Sequence, residues 1–146
     1  MRPITGIRIL GFRLGVIVLA IYWGTLFTGT HWPAGPPIAK QVGDKTLHYC
    51  GFFCLAILCC YVTQSSSEDR QASVKRFGGI FLVSLAYAIV DEWTQSFSRG
   101  RYSDPYDVLA DAVGALSAIS LYAVAKYAFA RFSGSHGVGD APTHLN

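Results

Sequence analysis

The stretch from Asp91 to Gly114 carries most of the residues in this chain that could do chemistry. It reads DEWTQSFSRGRYSDPYDVLADAVG and contains five of the nine acidic residues. Two arginines lie in its middle, and a guanidinium can hold a carboxylate or a phosphate through two parallel hydrogen bonds. Carboxylates beside such a cation can transfer a proton or balance its charge. The stretch therefore allows an acid–base site, an anion-binding site or a network of ion pairs.

A second polar group lies earlier, in the segment DKTLH. His48 follows Asp44 by four residues, which places both on one side of a helix. The sequence contains no HxxxH, HxH or CxxC spacing, so it predicts no metal and no cofactor. We expect the four cysteines, at positions 50, 54, 59 and 60, to be small buried apolar side chains. The candidate ligand-pocket residues are Asp44, Lys45, His48, Glu92, Gln95, Arg101, Asp107 and Asp111, and the sequence assigns a catalytic role to none of them.

The composition indicates a membrane protein. Hydrophobic residues make up 51% of the chain and charged residues only 14%, whereas soluble domains carry about 25% charged residues. A small soluble domain needs charge to cover its large relative surface, and this chain lacks that charge. Its net charge of +3 is too small to indicate nucleic acid as a partner.

Four apolar segments predict an all-α bundle of four transmembrane helices in a single domain, residues 1–131. We place the helices at about 7–27, 46–63, 77–97 and 105–130, since about 20 helical residues cross the hydrocarbon core. No good cleavage site follows the first segment, so we interpret it as a membrane anchor that is retained. Residues 132–146 are polar and rich in glycine, which predicts a disordered tail.

The basic residues predict the orientation of the bundle. Four spans place both termini on one side, together with Arg2, Arg8, Arg13, Arg70, Lys75, Arg76, Lys126 and Arg131. Only Lys40, Lys45, Arg99 and Arg101 lie on the other side. The positive-inside bias therefore predicts cytoplasmic termini and a cytoplasmic tail. The outer ends of spans two, three and four would then carry the polar residues and could enclose one pocket.

Local signals fix the start of the fourth span. Asp104 is predicted to be its N-cap and Pro105 its first residue, with Asp107 in the first turn. Asp111 lies one turn deeper, where a carboxylate must be paired or wetted. One face of this helix is predicted to consist of Asp107, Asp111, Gly114 and Ala118. Its small residues would let a neighbouring helix approach closely.

Two further expectations concern the contacts inside the pocket. Asp44 is predicted to be the N-cap of the second span. Arg101 is predicted to bridge Glu92 and Asp107, because Gly100 permits a turn that folds the guanidinium back over the cluster. We expect His48 to close the wall of this pocket and Arg99 to face water.

Two blocks of the sequence form a pattern, DKTLHYCGFFCL and EWTQSFSRGRYSDPYDVLADAVGA. In this order, they resemble the VanZ-like family, which is named for a protein linked to teicoplanin resistance. The resemblance implies a small multi-span bacterial membrane protein of the cell envelope. The chain departs from the family pattern at Asp111, where Asn is usual, and at Arg99, where Pro is common. The matched positions are Asp44, Lys45, His48, Glu92, Gln95, Phe97, Gly100, Arg101, Asp107 and Gly114.

Three functions are compatible with these observations. The first is a non-catalytic envelope factor that binds a membrane lipid or a lipid-linked cell-wall component and so lowers susceptibility to lipoglycopeptides such as teicoplanin. The second is a membrane enzyme that acts on a lipid-linked phosphate, with Lys45 and Arg101 holding the phosphate and His48, Glu92 or Asp107 as acid or base. The third is a structural bundle whose charges only satisfy one another. The sequence does not predict the oligomeric state.

Overall fold

The fold is an all-α bundle in which four long helices follow one another along the chain. The computed structural model describes residues 8–9, 12–64 and 69–135. A pair of two-residue antiparallel strands, β1 (Arg8–Ile9) and β2 (Phe12–Arg13), precedes the first helix. The helices are α1 (Leu14–Thr30), the short α2 (Ala39–Val42), α3 (Asp44–Val62), α4 (Arg70–Gln95) and α5 (Pro105–Ser135). The prediction of a four-helix bundle is confirmed.

Successive long helices run antiparallel, so α3 and α5 point one way and α1 and α4 the other. Helix α3 packs against the other three. At one end of the bundle, which we call the polar end, the Thr30 hydroxyl of α1 donates to Asp91 of α4 at 3.1 Å. At the other end, which we call the basic end, the Tyr122 hydroxyl of α5 donates to Gln64, just after α3, at 2.7 Å. The polar end therefore holds the ends of α1 and α4 and the starts of α3 and α5.

The bundle buries polar as well as apolar side chains and leaves large apolar side chains on its outside. The buried side chains include His48, Asp91, Glu92, Asp107 and Asp111, whereas large apolar side chains such as Leu82, Trp93 and Phe129 are more than half exposed. Such a distribution suits a protein surrounded by lipid. By length and composition, α3, α4 and α5 (to Arg131) can cross a membrane, and α1 is apolar but shorter, at 17 residues.

The helices begin and end at other residues than the approximate spans predicted from the sequence. The first helix begins at Leu14, because Arg8 and Arg13 are paired on the two short strands and thus stay outside the apolar helix. The helix that contains the predicted third span, α4, begins at Arg70. There the Asp69 carboxylate caps the helix by accepting from the Ala72 N–H at 2.6 Å. At the other end of the chain, α5 continues to Ser135, so 132–135 are helical. The rest of the predicted tail lies outside the described residues.

Small residues let α5 lie directly against α3. A Cβ atom on Gly114 would lie 2.3 Å from the backbone oxygen of Tyr49, which is far inside van der Waals contact. The predicted α5 face of Asp107, Asp111, Gly114 and Ala118 is buried throughout. The same packing leaves Cys50 and Cys54 exposed on the opposite side of α3, so the expectation that they are buried is wrong. Cys60 is buried as expected.

Candidate functional site

The polar end of the bundle brings together all eight residues predicted to line a pocket. Asp44, Lys45 and His48 lie in the first turns of α3, and Glu92 and Gln95 lie in the last turn of α4. The remaining residues lie in the α4–α5 loop or the first two turns of α5. These are Arg101, Asp107 and Asp111.

The start of α5 is capped and then connected to α3 by a lysine. Asp104 accepts from the Tyr106 N–H at 2.9 Å, which confirms it as the N-cap. Lys45 donates to Asp104 at 2.5 Å and to Asp107 at 2.9 Å. Asp104 precedes the membrane-spanning part of α5, and the hydrogen bond from the Lys45 ammonium lowers the pKa of this carboxyl group. One cation thus holds two carboxylates of α5 against α3.

Arg101 folds back over the cluster, as predicted, but it contacts different partners. Its Nη1 donates to the Asp44 carboxylate at 3.2 and 3.3 Å, and its Nε donates to the Gln95 amide oxygen at 3.2 Å. The predicted bridge from Arg101 to Glu92 and Asp107 is wrong. Lys45 occupies Asp107 instead, and Glu92 accepts the backbone N–H of Asp104.

Asp44 is not the N-cap of α3, contrary to the prediction. Gly43 precedes the helix with a φ of 91°, and Asp44 is already helical, without a capping hydrogen bond from its side chain. A residue in the first turn points its side chain outward from the helix axis, so the carboxylate is available to another partner. That partner is Arg101.

A tight turn before Arg101 directs its side chain into the bundle. Gly100 has a φ of +77°, a left-handed conformation that favours glycine, and its backbone lies against Ala34 of the α1–α2 loop. The Ala34 N–H donates to the Arg99 carbonyl at 3.0 Å, which joins the two loops of the polar end. Arg99 itself is exposed, as predicted.

Beneath these pairs lies a histidine–carboxylate pair that is almost fully buried. His48 Nδ1 lies 3.0 Å from Asp111 Oδ1, with exposed side-chain fractions of 3% and 1%. The pair supplies the partner that a carboxylate at the depth of Asp111 needs. Two buried carboxylate oxygens, Glu92 Oε2 and Asp111 Oδ2, have no hydrogen-bond partner within the described part of the chain.

A second polar group joins α1 to α4, and Gln95 is its one member among the candidate residues. Asp91 accepts from the Thr30 hydroxyl at 3.1 Å and from the Gln95 amide at 2.8 Å. His31 Nε2 lies 2.9 Å from the Thr94 hydroxyl. The segment TGTHW offered no signal for these contacts, because they depend on where α1 ends relative to α4.

Two cavities open at the polar end, and one ion pair contributes to both. The first has a volume of about 240 Å³ and lies between α1 and α3, with Tyr22, Leu26 and Leu47 among its lining residues. The second has a volume of about 560 Å³ and is lined by polar groups, including Lys45, Asp104 and Asp107. Asp44 and Arg101 line both cavities. The site therefore joins an apolar recess to a polar one.

Comparison with known proteins places the chain among related sequences. The family model described as VanZ/LLP1 matches residues 12–126, which include both blocks of the polar end. Comparison with curated proteins and with solved structures gave no match.

Proposed function

Because the chain belongs to the VanZ/LLP1 family, we propose that it is a bacterial cell-envelope protein that binds a membrane lipid or a lipid-linked cell-wall component at its polar end. Binding would reduce the access of lipoglycopeptides such as teicoplanin to that component. The protein would lie in the cytoplasmic membrane with the polar end on the outer side.

The observation that carries this proposal is the position of the Asp44–Arg101 pair between two cavities of opposite character. One cavity is walled mainly by apolar side chains of α1 and α3, and the other by charged groups of the two loops and the start of α5. A lipid with a charged headgroup has the same two halves. Its chain would occupy the apolar recess, and its headgroup would meet Arg101 and Lys45.

The two cations retain capacity for a headgroup. An ammonium has three donors, and Lys45 uses two of them on Asp104 and Asp107 while its side chain is 54% exposed. Arg101 donates from Nη1 to Asp44 and from Nε and Nη2 to Gln95. The Asp44 side chain is 40% exposed, so a headgroup could replace it as the partner of Nη1. A phosphate could bind Lys45 and Arg101 in place of their carboxylate partners, and the helices would not have to move.

The proposed orientation rests on the distribution of positive charge. Arg70, Lys75 and Arg76 lie at the start of α4, and Lys126 and Arg131 lie late in α5, all toward the basic end. Residues of this type are concentrated on the cytoplasmic side of membrane proteins. The polar end would therefore face outward, where cell-wall precursors and lipoglycopeptides meet.

The test is ligand-dependent thermal stabilisation of the purified protein in nanodiscs. The panel contains polyprenyl phosphates, lipid-linked cell-wall intermediates and the uncharged polyprenol. We expect a rise in melting temperature with a phosphate-bearing lipid and none with the polyprenol. Arg101→Ala should abolish the rise, and Arg99→Ala, which removes an exposed charge two residues away, should retain it. A shift that is equal in both variants would contradict the proposal.

A second candidate is an enzyme that acts on a lipid-linked phosphate, and Glu92 favours it. This side chain is 3% exposed, and its Oε2 has no hydrogen-bond partner among the described residues. A buried carboxylate in such a position can exchange a proton with a bound substrate. Release of phosphate from a polyprenyl phosphate by the wild type, but not by Glu92→Gln, would establish this function. Absence of both binding and turnover would leave a structural bundle.

A further inference from the structure

We propose that Asp44, His48 and Asp107 form a binding site for a divalent first-row metal ion, Mn²⁺ or Zn²⁺. This inference rests on the geometry of the three side chains and does not depend on the lipid proposed above. The sequence predicted no metal because it lacks a histidine pair at metal-binding spacing. The three residues come from two helices and meet only in the folded bundle.

The ligand atoms converge from two facing pairs. Asp44 and His48 are one turn apart on α3, and Asp107 and Asp111 are one turn apart on α5, where Gly114 brings the helices into contact. One ligand atom each from Asp44, His48 and Asp107 lies within 4.8 Å of the others. Ligands about 2.1 Å from one ion lie roughly 3–4 Å apart, so small side-chain rotations would complete the site.

The histidine is already held as a metal ligand requires. Its Nδ1 lies 3.0 Å from the Asp111 carboxylate, an arrangement that would leave Nε2 for an ion. In metal sites a carboxylate commonly accepts from one ring nitrogen, which fixes the tautomer and leaves a lone pair on the other nitrogen for the ion. Asp111 would therefore position His48 without binding the metal.

A second observation indicates a missing positive group at this place. Glu92 is only 3% exposed, and its Oε2 has no hydrogen-bond partner in the described part of the chain. Its Oε1 accepts from the backbone N–H of Asp104, three residues before Asp107, which places this carboxylate beside the group. A metal ion, or water bound to it, would supply the partner that this oxygen lacks.

The charges of the polar end support the same inference. Six carboxylates lie there, at positions 44, 91, 92, 104, 107 and 111. Within the described part of the chain, Lys45 and Arg101 form ion pairs with three of them, Asp44, Asp104 and Asp107. Lys45 now contacts Asp107, but its half-exposed side chain can leave. A dication would offset the excess of negative charge and make the adjoining polar cavity more receptive to an anion.

The experiment measures metal binding directly. Full-length protein in detergent, purified through a tag without histidine and stripped with chelator, is titrated with Mn²⁺ and Zn²⁺. We expect one ion per chain, and in the Mn²⁺ electron spin echo a coupling to one imidazole nitrogen. His48→Asn and Asp107→Asn should each weaken binding at least about tenfold, as even second-shell changes do. The control is His31→Asn, a histidine of the same end outside the group.

The metal affinities of the wild type and the variants distinguish this site from binding elsewhere. Loss of affinity in the two ligand variants with retention in His31→Asn would support the site. If one ligand variant fails to fold, the other ligand variant decides the case together with the nitrogen coupling of His31→Asn, which should be retained. No stoichiometric ion, no nitrogen coupling, or equal affinity in all variants would overturn the proposal. Because no lipid is added, failure here would leave the lipid-binding proposal intact.

Discussion

At the scale of single residues, the polar end is organised by two cations that each hold groups from different elements. Lys45 of α3 contacts Asp104 and Asp107 of the α5 start, and Arg101 of the loop contacts Asp44 of α3 and Gln95 of α4. A carboxylate buried inside a bundle is costly unless it has a partner, and Lys45 supplies one to the buried Asp107. The stretch between Asp91 and Gly114 is thus rich in charge because it meets the start of α3.

Arg101→Ala should lower stability by about 1–3 kcal/mol, the range for hydrogen bonds to charged groups. This loss of stability is smaller than the loss expected for a fully buried ion pair, because the Asp44 side chain is 40% exposed and partly screened by water. Arg101→Lys should restore only part of the loss, since an ammonium cannot reach Asp44 and Gln95 together. Thermal unfolding in detergent measures both variants. Arg99→Ala is the control, and an equal loss there would contradict the assigned contacts.

The Lys45–Asp104 contact predicts a dependence on pH. The pKa of Asp104 is lower in the folded protein than its ordinary value, so the contact stabilises fully above about pH 4 and is lost as pH falls through the lowered pKa. The difference in melting temperature between wild type and Lys45→Met should be constant from pH 7 to about 4 and then shrink. Lys75→Met, which removes an exposed lysine at the basic end, should show no such change.

At the scale of elements, the contact between α3 and α5 positions the site. The small-residue face of α5 places Asp107 opposite Asp44 and His48, and Asp111 beside His48. Any substitution that separates the two helices should therefore weaken the fold and displace the buried polar groups together.

Gly114→Ala tests this dependence. The new Cβ would lie 2.3 Å from the Tyr49 backbone oxygen, and backbone cannot move aside as a flexible side chain can. We expect a loss of about 1–3 kcal/mol or more, the usual cost of overpacking. Gly78→Ala in α4 is the matched control, because a Cβ there meets nothing within 4 Å. It should be neutral or stabilising by up to about 1 kcal/mol, as measured by thermal unfolding.

The sequence was informative where the signal was local. The helix start at Asp104, the buried face from Asp107 to Ala118 and the turn at Gly100 were all predictable from residue type and spacing. The pairing of cations with carboxylates was not, because it depends on which helix ends meet. Arg101 reaches Asp44 rather than Glu92 for this reason. The contacts of His31 and Thr30 with α4 depend in the same way on tertiary position.

At the scale of the whole molecule, the bundle is polar at one end and basic at the other. Its outer surface is apolar along the helices, and its buried ionisable groups lie toward the polar end. One end thus concentrates the buried carboxylates, and the other concentrates positive charge. The proposed orientation follows from that asymmetry.

A reporter fused after Asn146 tests the orientation. Because α1 and α5 run antiparallel to α3 and α4 respectively, the start of α1 and the end of α5 lie at the basic end. At this position, we expect a reporter that works only in the cytoplasm to be active, and a reporter that works only outside the cytoplasm to be inactive. A fusion inserted between residues 98 and 99 should give the reverse pattern. Matching results at both positions would contradict an outward polar end.

The central claim is that a charged lipid binds at the polar end, and photo-crosslinking tests it most directly. A polyprenyl phosphate with a diazirine beside the phosphate is irradiated with the protein in nanodiscs, and the labelled peptides are mapped by mass spectrometry. The prediction is labelling within residues 43–48 and 98–107, and no such labelling by the matching uncharged polyprenol. Labelling instead at the cavity of the basic end, which Arg70 and Lys126 line, would contradict the account.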